Sequence, residues 1–147
     1  MYCNDNLQSL IQGSVGETAV DLEILSQGFI AYYTDVNGAP IDRIIMSREG
    51  VFKTLEVKSC KGRRRDNNSY TVELSSYNGN LKTRRMFSEG KKIDILAVYL
   101  CDIKYVLFLD AALYKGKRSL SITYERLKTM NTSLASLFGY DDFKSVE

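Results

Sequence analysis

The chain has 147 residues, 44% hydrophobic and 26% charged, with 1 Pro and 10 Gly, values that fit one globular domain and exclude a disordered or collagen-like chain. It contains no His, which excludes Ser-His-Asp and Cys-His chemistry, zinc sites of the HExxH or Cys2His2 kind, and nucleases with an imidazole general base. The net charge of +2 conceals a polarity: residues 1–52 carry 2 basic and 7 acidic groups, residues 53–92 carry 11 and 4, and residues 93–147 carry 7 of each.

A 40-residue segment that basic, beside an acidic one, suits a surface that grips a polyanion while carboxylates sit elsewhere. The alternative is a solvated basic face. No apolar run reaches the ~20 residues a bilayer span needs, and the N-terminus lacks a basic-then-apolar leader pattern, so no membrane is expected. Cys3, Cys60 and Cys101 are odd in number and widely spaced. They read as reduced thiols of a cytosol, bacterial or phage.

Leu7, Leu10, Ile11, Val15, Ala19, Leu22 and Leu25 recur at helical spacing, predicting one helix over 7–25, or a short helix and a second from Ser14 if Gly13 and Gly16 interrupt it. Gly28 is the stop. Residues 29–33 are β-prone, 35–40 have turn composition, and 41–46 and 51–59 read as two strands of a hairpin around Arg48-Glu49-Gly50. A polar loop covers 60–69, a strand 70–74, and Asn78-Gly79-Asn80 a turn. Two strands over 93–100 and 105–109 follow, joined at 101–104, then a short strand within 116–122. Leu127, Met130, Leu134 and Leu137 form a helical stripe in the tail from 124 to 138. The stripe serves either the core or a dimer surface. Helix, strands and helix in this order predict an α+β or mixed α/β fold, with a central mixed sheet flanked by helices.

The informative constellation is Asp42, thirteen residues, then Glu56-Val57-Lys58. Alternation puts Glu56 and Lys58 on one face of their strand, roughly 6–7 Å apart, with Leu55 and Val57 pointing into the core. Asp42 lies on the neighbouring strand of the hairpin. Two carboxylates, a backbone carbonyl such as that of Val57, and waters make an oxygen shell suited to Mg2+, or to Mn2+ in its place. An adjacent Lys can orient or deprotonate a metal-bound water and offset charge on a pentavalent phosphorus. The competing reading is a surface hairpin with Glu56 and Lys58 as ion-pair partners. Asp94, at a strand start, reads as a structural cap. Tyr70 and Tyr77 flank basic stretches and read mainly as packing residues, with DNA stacking as the alternative.

Pro40-Ile41-Asp42 and Glu56-Val57-Lys58, with Gly13-Ser14-Val15-Gly16-Glu17 on a preceding helix, resemble the PD-(D/E)xK nuclease superfamily. The short length and the run Lys92–Val98 resemble its small single-domain members, the archaeal-type Holliday junction resolvases and the homing endonucleases of group I introns and phages. One departure is the Ile between Pro40 and Asp42, at a Pro that members often lack. The resemblance implies a restriction-endonuclease-like core, Asp42 and Glu56 as metal ligands, Lys58 as the catalytic lysine, and Glu17 as a further, water-mediated metal contact. Ser14-x-x-Glu17 also fits a capping box that would open a helix.

These features lead to the expectation of a Mg2+-dependent, site-specific homing-type endonuclease on double-stranded DNA, for which the resemblance implies 5′-phosphate and 3′-hydroxyl ends. Lys61, Arg63, Arg64 and Arg65, with Lys82, Arg84 and Arg85, are the DNA-binding candidates, because Arg suits bidentate phosphate and base-edge contacts. A two-strand cut needs two sites, hence a homodimer or homotetramer. A four-way-junction resolvase and a non-catalytic DNA-binding module are the alternatives.

Overall fold

The computed structural model describes residues 5–33, 42–78, 82–89 and 92–140. The expected positions Cys3, Pro40 and Ile41, the 35–40 turn and most of the Asn78-Gly79-Asn80 turn lie outside them, as does the Tyr77 side chain. A helix, α1 (Asp5–Ser26), is followed by β1 (Ile30–Tyr33), β2 (Arg43–Met46) and β3 (Phe52–Cys60). Next come β4 (Ser69–Glu73), β5 (Ser76–Asn78), β6 (Thr83–Arg85), β7 (Ile95–Leu100) and β8 (Tyr105–Asp110). A 3-10 turn (Ala111–Tyr114), β9 (Ser119–Thr123), α2 (Tyr124–Leu127) and α3 (Leu134–Leu137) complete the order.

The central sheet runs β1-β2-β3-β7-β8. Only the β3–β7 pair is parallel, Leu55 against Ile95 through Cys60 against Leu100; its other pairs are antiparallel. The fold is therefore mixed α+β around a mixed sheet. All six positions of β7 are buried, the signature of a strand covered on both faces. Ile95 and Ala97, with Ile45, Leu55 and Phe108, pack under Val20 and Ile24 of α1 and under Leu134. Leu96, Val98 and Leu100, with Leu107 and Leu109, face the opposite way against Tyr70, Val72, Leu120 and Ile122.

That second face departs from the expected helical cover. β4 and β9 pair into a two-stranded antiparallel ribbon whose buried positions alternate (Tyr70, Val72; Leu120, Ile122). A strand can cover a sheet with such a period-two stripe as well as a helix can. Tyr70 is fully buried and donates its hydroxyl to Asp102 at 3.0 Å, so it is a packing residue rather than a stacking platform.

The one-helix alternative for residues 7–25 holds, and two other local expectations change. Helix α1 is continuous through both glycines, and Gly16 sits where a Cβ would land on the Ser59 side chain, with Ser59 Cβ 3.4 Å and the Tyr99 ring 3.6 Å away. Ser14 therefore lies inside the helix, its carbonyl accepting from the Thr18 hydroxyl at 2.9 Å, and no capping box forms at Glu17. The tail is two short helices rather than one. Leu127 packs on the ribbon side and Leu134 on the α1 side, so the chain must round the β8 edge between them. There the Phe108 N–H donates to the Thr132 carbonyl at 3.2 Å, and Thr123 and Ser133 cap the two helices. Gly28 ends α1 with φ of 86°, a conformation that costs other residues about 1 kcal/mol or more.

Candidate active site

β2 is shorter than β3, and the site lies where it stops. The last pair between them is Arg43 with Leu55, so Val57, whose N–H and carbonyl point to the same edge as those of Leu55, extends beyond β2. The Asp42 carboxylate takes the place of a strand: its Oδ2 accepts from the Val57 N–H at 2.9 Å. Continuing the register by one residue puts Asp42 across from Glu56.

Glu56 and Lys58 share the other face of β3 and are ion-paired at 3.3 Å, with side chains 12% and 21% exposed. Leu55 is buried and Val57 packs against the α1-side core, as alternation requires. The first half of α1 and the far end of β3 enclose an open cleft of about 460 Å³ whose lining includes Gly13, Glu17, Val57, Lys58, Ser59 and Lys61. Glu17, Lys58 and Lys61 all line this cleft, Asp42 holds the strand edge, and Glu56 is ion-paired to Lys58, both side chains leaving β3 on the face away from the α1-side core. The available donors are hard oxygens. Among the described residues no three His, Cys, Asp or Glu side chains are grouped closely enough to hold a metal, so a divalent ion here would rest on two carboxylates with carbonyl and water oxygens, which Mg2+ accepts.

Arg43, Asp21 and Tyr33 form a network that sequence reasoning missed. The Arg43 guanidinium is 2.9 Å from Asp21 Oδ1 through Nε and 3.3 Å from Oδ2 through Nη2, and Nη1 donates to the Asp42 carbonyl at 2.8 Å. It also lies 4.2 Å over the Tyr33 ring, whose hydroxyl donates to Asp21. That bond to Asp21, helped by desolvation, raises the Tyr33 pKa. Desolvation opposes the Arg43 charge, but the bond and attraction to Asp21, with the Glu17 charge, outweigh it and leave Arg43 raised. Asp42 is thus held twice, by its carbonyl and its carboxylate. The only sequence signals were Asp21 one turn after Glu17 and Arg43 beside Asp42.

The basic candidates divide. Arg63 is committed to Asn68 at 3.2 Å and Asp102 at 3.7 Å and stacks over Tyr124 at 4.1 Å. Arg64 pairs with Asp66 at 3.4 Å, and Arg84 donates to Ser75 at 2.7 Å and lies 3.3 Å from Glu73. Lys61, Arg65, Lys82 and Arg85 are exposed. Asp94 is structural: its Oδ2 accepts from the Thr54 N–H at 2.9 Å, joining the starts of β3 and β7. No helix of the described residues is long and apolar enough to cross a membrane.

The chain is similar in fold to a bacterial homing endonuclease, I-Ssp6803I, with a TM-score of 0.61 and 14% identity, over 95% of this chain and 87% of that one. No family model and no curated protein matches the sequence.

Proposed function

We propose that the chain is a Mg2+-dependent DNA endonuclease of the PD-(D/E)xK kind, cutting double-stranded DNA at a specific site as a homo-oligomer. The observation that carries this reading is the Asp42–Val57 contact. It puts a carboxylate on the open edge of the strand that bears Glu56 and Lys58, next to the cleft that Lys58 shares with Glu17. Likeness in fold to a homing endonuclease supports the class and favours a duplex target over a junction.

Asp42, Glu56 and the Val57 carbonyl would hold the ion, with Glu17 reaching it through water. When bound, the ion supplies charge neutralisation at the scissile phosphate and a more acidic water. Lys58, tethered by Glu56 on a short leash, orients the attacking water and offsets charge as the phosphorus becomes pentavalent. Arg43 keeps Asp42 in place. Lys61 draws the phosphate into the cleft, while Arg65, Lys82 and Arg85, together with Arg63, Arg64 and Arg84, neutralise backbone charge, so affinity should fall steeply with salt.

The test is cleavage of a plasmid library and a labelled four-way junction, with and without Mg2+, by wild type, Glu56→Gln and Asp42→Asn. The amide oxygen of Asn still accepts from Val57, so Asp42→Asn retains the fold. The expected result is discrete Mg2+-dependent duplex products, reduced at least ~100-fold in both variants. Cutting confined to the junction would make the chain a resolvase, and salt-sensitive binding without cleavage of a site-randomised library would make it a binding module.

A further inference from the structure

Helix α1 has two apolar faces. The inner one is Gly16, Val20 and Ile24, buried at four-residue spacing against the sheet. On the opposite side stand Ile11, Val15, Thr18, Leu22 and Leu25, spaced four, three, four and three residues apart. That is the repeat of a helix–helix seam, and at about 100° per residue its centre lies roughly 180° from the inner face. Its apolar members are 54%, 49%, 64% and 61% exposed, for Ile11, Val15, Leu22 and Leu25 in turn. A helix that only lies on its own domain needs one apolar stripe.

The charges narrow the occupant. α1 contains Asp5, Glu17, Asp21 and Glu23 and no Lys or Arg, so it repels DNA and anionic lipid surfaces, which recruit basic helices. None of these acids lies in the seam. Asp21 is turned to Arg43, and Glu23 accepts from Gln27 at 3.0 Å. A second identical seam can therefore meet this one without burying a charge. The four exposed side chains leave on the order of 400 Å² of apolar surface, about half of the ~800 Å² per partner of a standard interface. Thr18 in the seam and Ser26 on its flank, both exposed, extend it.

We propose that the outer face of α1 is the contact between two copies of the chain, α1 against α1 across a two-fold axis. The interface stands independently of the nuclease reading. If that reading holds, the contact also brings the two Glu17-bearing clefts to either side of the axis, since Glu17 is on the flank of the same helix.

Sedimentation equilibrium of the full chain tests the proposal. Wild type should give twice the 16.7 kDa chain mass. Leu22→Glu should give the monomer mass with unchanged far-UV dichroism, its position being exposed enough to leave the fold intact. Leu113→Glu, at an equally exposed apolar position elsewhere (66%), should remain dimeric. Phe52→Glu addresses a second exposed apolar surface among the described residues, on β1–β3 with Tyr32 and Ile44. A monomeric wild type at several hundred micromolar, or a dimer that survives Leu22→Glu and is broken by Phe52→Glu, would overturn the assignment.

Discussion

Replacing Arg43 with Met removes the cation that joins α1 to the start of β2. The residue is 7% exposed and makes two contacts to Asp21 and one to the Asp42 carbonyl. Breaking a fully buried pair by removing one partner costs about 3–5 kcal/mol. Here the Asp21 side chain is 18% exposed and keeps the Tyr33 hydroxyl, so the expected loss is about 2–3 kcal/mol. At about 2–4 °C per kcal/mol for a chain of this size, Tm falls by about 4–12 °C. The double variant Arg43→Met, Asp21→Leu removes the stranded charge as well and should return to within about 1 kcal/mol of wild type. Urea unfolding of the four proteins gives the coupling directly. A single variant that loses under ~0.5 kcal/mol, or a double variant that is simply additive, would refute the reasoning. At temperatures where Arg43→Met remains folded, DNA cleavage should still fall, because the Asp42 carbonyl has lost its donor.

The two glycines of α1 should respond oppositely to Ala. Gly13→Ala, with nothing within 4 Å of the new methyl, should gain about 1 kcal/mol of helix propensity. Gly16→Ala meets Ser59 and should lose about 1 kcal/mol net, overpacking outweighing propensity. Adding Ser59→Ala should restore it, and thermal melts that rank both glycine variants alike would sink the close-approach argument. Tyr70 provides a pH signature. Burial, then its bond to Asp102, raises its phenol from 10.0 to about 12. The native state thus holds a proton that the unfolded chain releases, and this contribution is complete below pH ~10 and declines as pH rises towards ~12. The stability difference between wild type and Tyr70→Phe should shrink across that window; a constant difference would refute the assignment.

Period and turn chemistry made β1, β2, β3, β7 and β8 legible, because alternation and Gly-, Asn- and Asp-rich turns are local properties of the chain. The Glu56-x-Lys58 placement was legible for the same reason: two residues on in a strand return to the same face. The pairing partners were not. β4 joins β9 across the whole β5–β8 segment, and β3 joins β7 in parallel, and local periodicity carries no information about such distant partners. The tail stripe was real in spacing, yet it divides into α2 and α3 because Leu127 and Leu134 serve opposite faces of the sheet.

The helix over 7–25 shows most clearly where sequence stops and tertiary structure begins. Spacing alone determined that α1 forms and that its apolar residues recur, and composition determined that any chemistry here proceeds without His. Which side of α1 faces inward was decided by Gly16, whose missing side chain lets the helix approach Ser59 and turns Val20 and Ile24 to the sheet, leaving Ile11, Val15, Leu22 and Leu25 outside. The same docking carries Asp21 to Arg43 and so fixes Asp42 on the edge of β3. Periodicity specifies an angle around a helix axis; only the contact surface of the partner element specifies which angle is in.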